Sequence, residues 1–158
     1  EERILTRFEG LLRGIAPELG YATAVQRVER DTTLSADVLI TPSIMLGVPG
    51  TDFETQSKTV DSCTLDLEVV GVLSTATGPR DLLVSRFAAD IKKRLKQAWL
   101  VTMELADLPI IDVFIGRHER WTGLAKGETG HCGVVVRVRV RYREQELDPY
   151  QGSPSLIP

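Results

Sequence analysis

The sequence holds few of the groups that cross-link a fold or carry out chemistry. It has two cysteines and two histidines in 158 residues, and aromatic residues make up only 6%. Two thiols are too few for a disulfide scaffold. A reducing compartment is expected, with Cys63 and Cys132 acting as small buried hydrophobes. No apolar run approaches the roughly 20 residues that a membrane helix requires, so no membrane partner is expected. The first residues do not form a basic-then-apolar targeting segment. The chain opens on Glu1 rather than methionine, which leaves room for an earlier segment.

The same scarcity limits catalysis and metal binding. Zinc ligands come in short-spaced pairs, whereas His131 and Cys132 are adjacent and point opposite ways on an extended chain. His118 and Cys63 stand far from them in sequence. The glycine-rich stretch "GLAKGETGHCG" lacks the phosphate-loop pattern and its strand–loop–helix setting. There is no G-x-S-x-G elbow, and neither histidine sits in a recognisable base motif. No catalytic residue, cofactor or metal is therefore expected, and the chain does not read as an enzyme.

What is present is ordinary in amount and uneven in placement. The length suits one compact domain, hydrophobic residues reach 42% and charged residues 26%. Residues 1–79 carry 6 basic and 12 acidic side chains, and residues 80–158 carry 13 and 10. Such asymmetry can draw two subunits together, or it can cancel when the halves fold on each other.

Periodicity places two helices and several strands. Ile4, Phe8, Leu11, Leu12 and Ile15 recur at helical spacing over 2–16, and Pro17 and Gly20 end the run. Gly10 and Gly14 suggest either a close backbone approach or a loose helix end. The clearest element is a helix of about 19 residues opening at Pro79, with a Leu83, Phe87, Ile91, Leu95 stripe and Trp99 in the core. Lys92, Lys93, Arg94 and Lys96 are expected near its C-terminal end, where they complement the helix dipole. Strands are expected at 22–30, 37–48, 63–74 and 108–116. Pro42 demotes part of the second to an edge or bulge. Residues 49–62 read as a projecting loop or a pair of extended arms, and 117–133 as a second long loop. The tail "EQELDPYQGSPSLIP" has no periodicity.

The expected architecture is one α+β domain over 1–143, followed by an extended C-terminal arm over 144–158. Its sheet is largely antiparallel or mixed, with both helices on one face and the other face wet.

The last strand is the most distinctive stretch. In "VVVRVRVRYR", Arg137, Arg139, Arg141 and Arg143 share one face, while Val136, Val138, Val140 and Tyr142 share the other. Successive arginines stand about 6.7 Å apart, twice the rise of a strand, so their mutual repulsion needs relief. Asp66 and Glu68 can supply it within the sheet, with Asp112 or Glu29 helping if their strands are adjacent. An acidic edge of another subunit can also supply it, because the arginine fork suits carboxylates. Phosphates of nucleic acid are the third source, though the chain is acidic overall. Trp121, in a loop among charges, is a candidate interface anchor.

Four stretches resemble one family. They are the opening helix "ERILTRFEGLLRGI", the strand "CTLDLEVVGV", the helix "LLVSRFAADIKKRL" and the closing "VVVRVRVRYREQELDPY". Together, and in this order, they resemble the tail terminator (tail-completion) proteins of long-tailed bacteriophages. The resemblance implies a hexameric ring that caps the finished tail tube and offers a surface for joining the head. It implies the tail tube protein and a head-closure or connector protein as partners. DNA would pass through the channel without sequence-specific binding. Assembly would occur in the host cytoplasm and the product would reside in the virion. Tyr150, in the closing Asp148-Pro149-Tyr150, becomes a second candidate anchor. Glutamine at positions 139 and 141 is then expected to weaken assembly, or the fold, more than DNA affinity. Another neck component remains an alternative, as does a small nucleic-acid-binding sheet protein.

Overall fold

A computed structural model describes residues 1–30, 41–55, 60–74, 80–122 and 131–145, with backbone alone at 50–55, 60–61, 121–122 and 144–145. The element order is α1 (Glu2–Arg13), a 3-10 turn (Pro17–Leu19), β1 (Arg27–Arg30), β2 (Ser43–Thr55), β3 (Val60–Ser74), α2 (Arg80–Leu100), β4 (Ile110–Thr122) and β5 (His131–Gln145). The five strands form one mixed sheet in the order β1-β2-β3-β5-β4. β1 runs parallel to β2, and the other neighbouring pairs are antiparallel. The fold is α+β, as the sequence pattern indicates.

The centre of the sheet is the β3–β5 ladder, which pairs Val60 with Gln145 and Ser74 with His131 without a register shift. Both strands alternate apolar and polar residues, which commits one face to the interior. Cys63, Leu65, Leu67 and Val69 of β3, with Val136, Val138, Val140 and Tyr142 of β5, are all buried. Phe87, Ile91 and Leu95 of α2 pack into the same core, and Phe8, Leu11 and Leu12 of α1 complete it. Leu83 and Trp99 sit at its margin. Gly71 permits the closest approach: a Cβ there would stand 2.6 Å from the ring of Phe87.

Several boundaries differ from the sequence reading. The strand expected at 22–30 is formed only at Arg27–Arg30. Just before it, the backbone N–H groups of Ala22 and Thr23 donate to the buried Asp90 carboxylate instead of to a strand neighbour. Of the stretch expected as a strand over 37–48, residues 37–40 lie outside the described residues. Pro42 precedes β2, and it is Pro49 that falls inside the strand, in the register shift between Gly47 and Gly50. A bulge tolerates proline because no ladder bond is required there. Much of 49–62 is thus a pair of extended arms, with 56–59 outside the described residues.

Of the loop expected at 117–133, residues 117–122 and 131–133 are strand, and 123–130 lie outside the described residues. β4 continues to Thr122, and β5 begins at His131. β5 also runs to Gln145, two residues past the expected end of the domain. The rest of the C-terminal arm, Tyr150 included, lies outside the described residues, as does Pro79. α2 extends to Leu100, so the basic residues expected at its end lie a turn or more earlier, and its last turn has none. They hold neighbouring elements instead. Lys93 donates to the Gly20 carbonyl at 3.0 Å, Arg94 to the Leu11 carbonyl at 3.0 Å, and Lys92 to His118. A Cβ at Gly10 would meet nothing within 4 Å, while Gly14 ends α1 against Arg94. The close backbone approach expected at Gly10 does not occur among the described residues.

Candidate functional site

The outward side of β5 carries the arginine row, and the register decides which arginines find partners. Across β3, Arg137 faces Glu68, Arg139 faces Asp66, Arg141 faces Thr64 and Arg143 faces Ser62. Acids thus stand opposite the first two arginines and hydroxyls opposite the last two. Arg139 binds Asp66 through both arms of its fork, Nε to Oδ1 at 2.8 Å and Nη2 to Oδ2 at 3.3 Å. Arg137 lies 3.7 Å from Glu68 and 3.4 Å from Glu119 of β4. The pairs with Asp66 and Glu68 join the basic second half of the chain to the acidic first half. Both arginines are about 60% exposed, so each pair contributes at most about 1 kcal/mol.

Arg141 and Arg143 differ. Asp112 is the β4 partner of Arg141 in register, but its Oδ1 accepts the Val113 N–H at 2.9 Å. Glu29 is on β1, at the far edge of the sheet, where it pairs with Arg27. Neither Arg141 nor Arg143 forms an ion pair among the described residues, and both are exposed. The relief by Asp66 and Glu68 foreseen from sequence is real for half of the row.

Beside the row sits Phe114, the β4 neighbour of Arg139, 66% exposed. It borders a concavity of about 370 Å³ whose walls include Pro49, Asp66, Glu68, Arg137 and Arg139. A bare phenyl ring next to guanidinium groups is the composition that contact surfaces favour. Phe114 and Glu119 were missed in the sequence. Phe114 shares its strand parity with Asp112, so alternation in "IIDVFIG" held a signal for it. Glu119 held none, because "RHERWT" is polar on both faces. The outward side is not wet throughout, since Met45 and Val72 on that side are buried.

The remaining candidates fall apart in space. Cys63 pairs with Tyr142 and Cys132 with Leu73, toward opposite ends of the ladder, and both thiols are buried. Burial pushes the Cys132 thiol above its ordinary value. His118 Nδ1 lies 3.0 Å from Lys92 Nζ. Burial, and then the charges of Lys92 and Arg120, lower the pKa of this imidazole, and a neutral ring nitrogen can accept a hydrogen bond from the lysine ammonium. Among the described residues no three of His, Cys, Asp and Glu converge as metal ligands, and no helix is long and apolar enough to cross a membrane. Trp121 lies in β4 opposite Gly133 by its backbone, and its side chain lies outside the described residues.

A second concavity, of about 480 Å³, lies between α1, α2 and the turn after α2, with Thr6, Arg7, Arg94 and Glu104 among its walls. Two of its cations, Arg7 and Arg94, are engaged within the chain. Arg94 grips Glu104 at 2.7 and 2.8 Å, and Arg7 grips Asp107 at 2.7 and 2.8 Å and also donates to the Glu104 carbonyl. The Arg94 guanidinium, and after it the Thr102 hydroxyl, hold the Glu104 carboxyl at about 2 against an ordinary 4.5. This network clamps the helical layer together. No protein-family model matches the chain, and no curated protein matches it in sequence.

Proposed function

We propose that this protein is a structural subunit of a phage tail. Copies join flank to flank into a ring, the resemblance implying six, that caps the tail tube and ends its growth. The ring then offers a surface to a head-closure or connector protein, with DNA passing through its channel. Such a subunit is assembled in the host cytoplasm and stays in the virion. It works by fitting surfaces together and breaks no bond.

One observation carries this reading beyond the sequence resemblance. A folded sheet face displays two arginines already satisfied within the chain and, beside an exposed phenylalanine, two that form no ion pair among the described residues. Rows of this kind are suited to docking carboxylates of another protein surface. The pairs made by Arg137 and Arg139 also favour protein over DNA as the occupant, because they cancel half of the charge that phosphates would need.

Electron microscopy of the purified chain, alone and with polymerising tail tube protein, tests the proposal. Closed rings seated at one end of tubes that stop lengthening are the expected result. Single globules under both conditions, with tubes growing unchecked, would overturn it.

A further inference from the structure

Resting on that reading of a self-assembling subunit, we propose that residues 146–150 of one copy lie along the outward side of β5 of a second copy. Glu146 pairs with Arg143, Asp148 with Arg141, and Tyr150 reaches Phe114.

Spacing is the first reason. On β5 the open positions are Arg143 and Arg141, and the next row holds Arg139 with Phe114 as its β4 neighbour. These rows follow at every second residue, about 6.7 Å apart. In the segment after β5, Glu146, Asp148 and Tyr150 also recur at every second residue. An extended segment running antiparallel to β5 therefore brings acid, acid and aromatic ring over arginine, arginine and aromatic ring, one for one. Carboxylates meet guanidinium forks in the geometry that favours them, and two aromatic rings meet at the end of the row.

The place where β5 ends is the second reason, and it selects a second copy over the same chain. β5 ends at Gln145, so Glu146 follows directly. In an extended continuation Asp148 lies five residues beyond Arg143, roughly 17 Å farther along the strand direction. Folding back onto the chain's own arginines would need a reversal within residues 146–148. The acids would then be spent in the turn. A neighbouring copy meets them without a turn. The contact is head-to-tail, arm onto face, and such contacts generate rings where the rotation between copies closes.

Charge reversal in the full-length chain is the test, read by sedimentation velocity. R141E/R143E is expected to weaken self-association by roughly tenfold or more, and E146R/D148R by a similar factor. The quadruple variant R141E/R143E/E146R/D148R should restore it. A cysteine pair, Phe114→Cys with Tyr150→Cys, should give a ladder of disulfide-linked multimers on oxidation. Five outcomes overturn the proposal. Linked monomers only would place the arm on its own chain. Intact self-association in R141E/R143E with lost tube binding would make the tube protein the occupant, and lost DNA retention alone would make it DNA. Rings that persist in every variant without any cross-link would sink the arm contact while leaving the ring function standing. A wild-type chain that never associates would remove both, which separates the two failures.

Discussion

The two sides of β5 are built from alternate residues of the same fifteen-residue strand, yet they do different work. Val136, Val138, Val140 and Tyr142 are at most 2% exposed, so each of them holds the fold through packing and displaced water. Arg137 and Arg139, between them, are about 60% exposed. Their ion pairs add little stability but keep like charges from repelling along the strand. The outward side is then divided again, into a satisfied half and an open half at Arg141 and Arg143. Stability is concentrated on one side, and the proposed partner contact lies on the other.

Neighbouring positions give the sharpest way to break this comparison. Val140→Asp places an unpaired carboxylate in the core and is expected to cost more than about 4 kcal/mol, read as loss of the cooperative urea transition. Arg141→Gln, one residue away, should leave that transition within about 0.5 kcal/mol of wild type. Equal losses at the two sites would erase the distinction between the faces. Gly71→Ala tests the inward side more finely. The added methyl meets the fully buried Phe87 ring, and a cost of about 1–3 kcal/mol is expected from overpacking. Phe87→Leu in the same chain should recover part of it.

The clamp between the helices adds a dependence on pH. The Glu104 carboxyl sits at about 2 when folded and near 4.5 in the free residue. Its contribution is therefore complete above about pH 4.5 and fades as pH falls toward 2. Glu104 is 36% exposed, so solvent screening reduces the effect to about 1–2 kcal/mol. Glu104→Gln should remove that increment at neutral pH and make the fall in stability below pH 4.5 shallower. A variant that loses stability with the same steepness as wild type would show that another carboxylate governs the acid limb.

The smallest change in stability separates the two halves of the outward side. Arg139→Gln is expected to cost under about 1 kcal/mol, by releasing Asp66. The double change R141Q/R143Q should cost less still in a thermal melt, yet weaken self-association more than Arg139→Gln does. The reverse order would move the contact to the satisfied half. This refines the expectation from sequence, which treated Arg139 and Arg141 as equivalent.

The sheet's division of faces was legible because strict alternation in "CTLDLEVV" and "VVVRVRVRYR" leaves one register for the core. Both helices were legible from their apolar stripes. Strand ends were harder to see. "RHERWT" belongs to β4 only because β5 continues beside it, a tertiary reason without a local trace. "TDFET" did alternate, but Pro49 and Gly50 before it read as a turn until a bulge absorbed them. The pairing of Asp66 and Glu68 with the arginines was anticipated in kind. That Glu68 would serve Arg137 and Asp66 Arg139, leaving Arg141 and Arg143 open, depended on a register that no single strand records. Phe114 was passed over because a lone phenylalanine in an apolar run is ordinarily a core residue.

The particle mass of the full chain, measured by light scattering across a hundredfold range of concentration, bears most directly on whether the outward side of the sheet serves association. A discrete multi-subunit particle that dissociates on R141Q/R143Q substitution, with the urea transition unmoved, is the expected result. A monomer at every concentration, with or without tail tube protein, would contradict it.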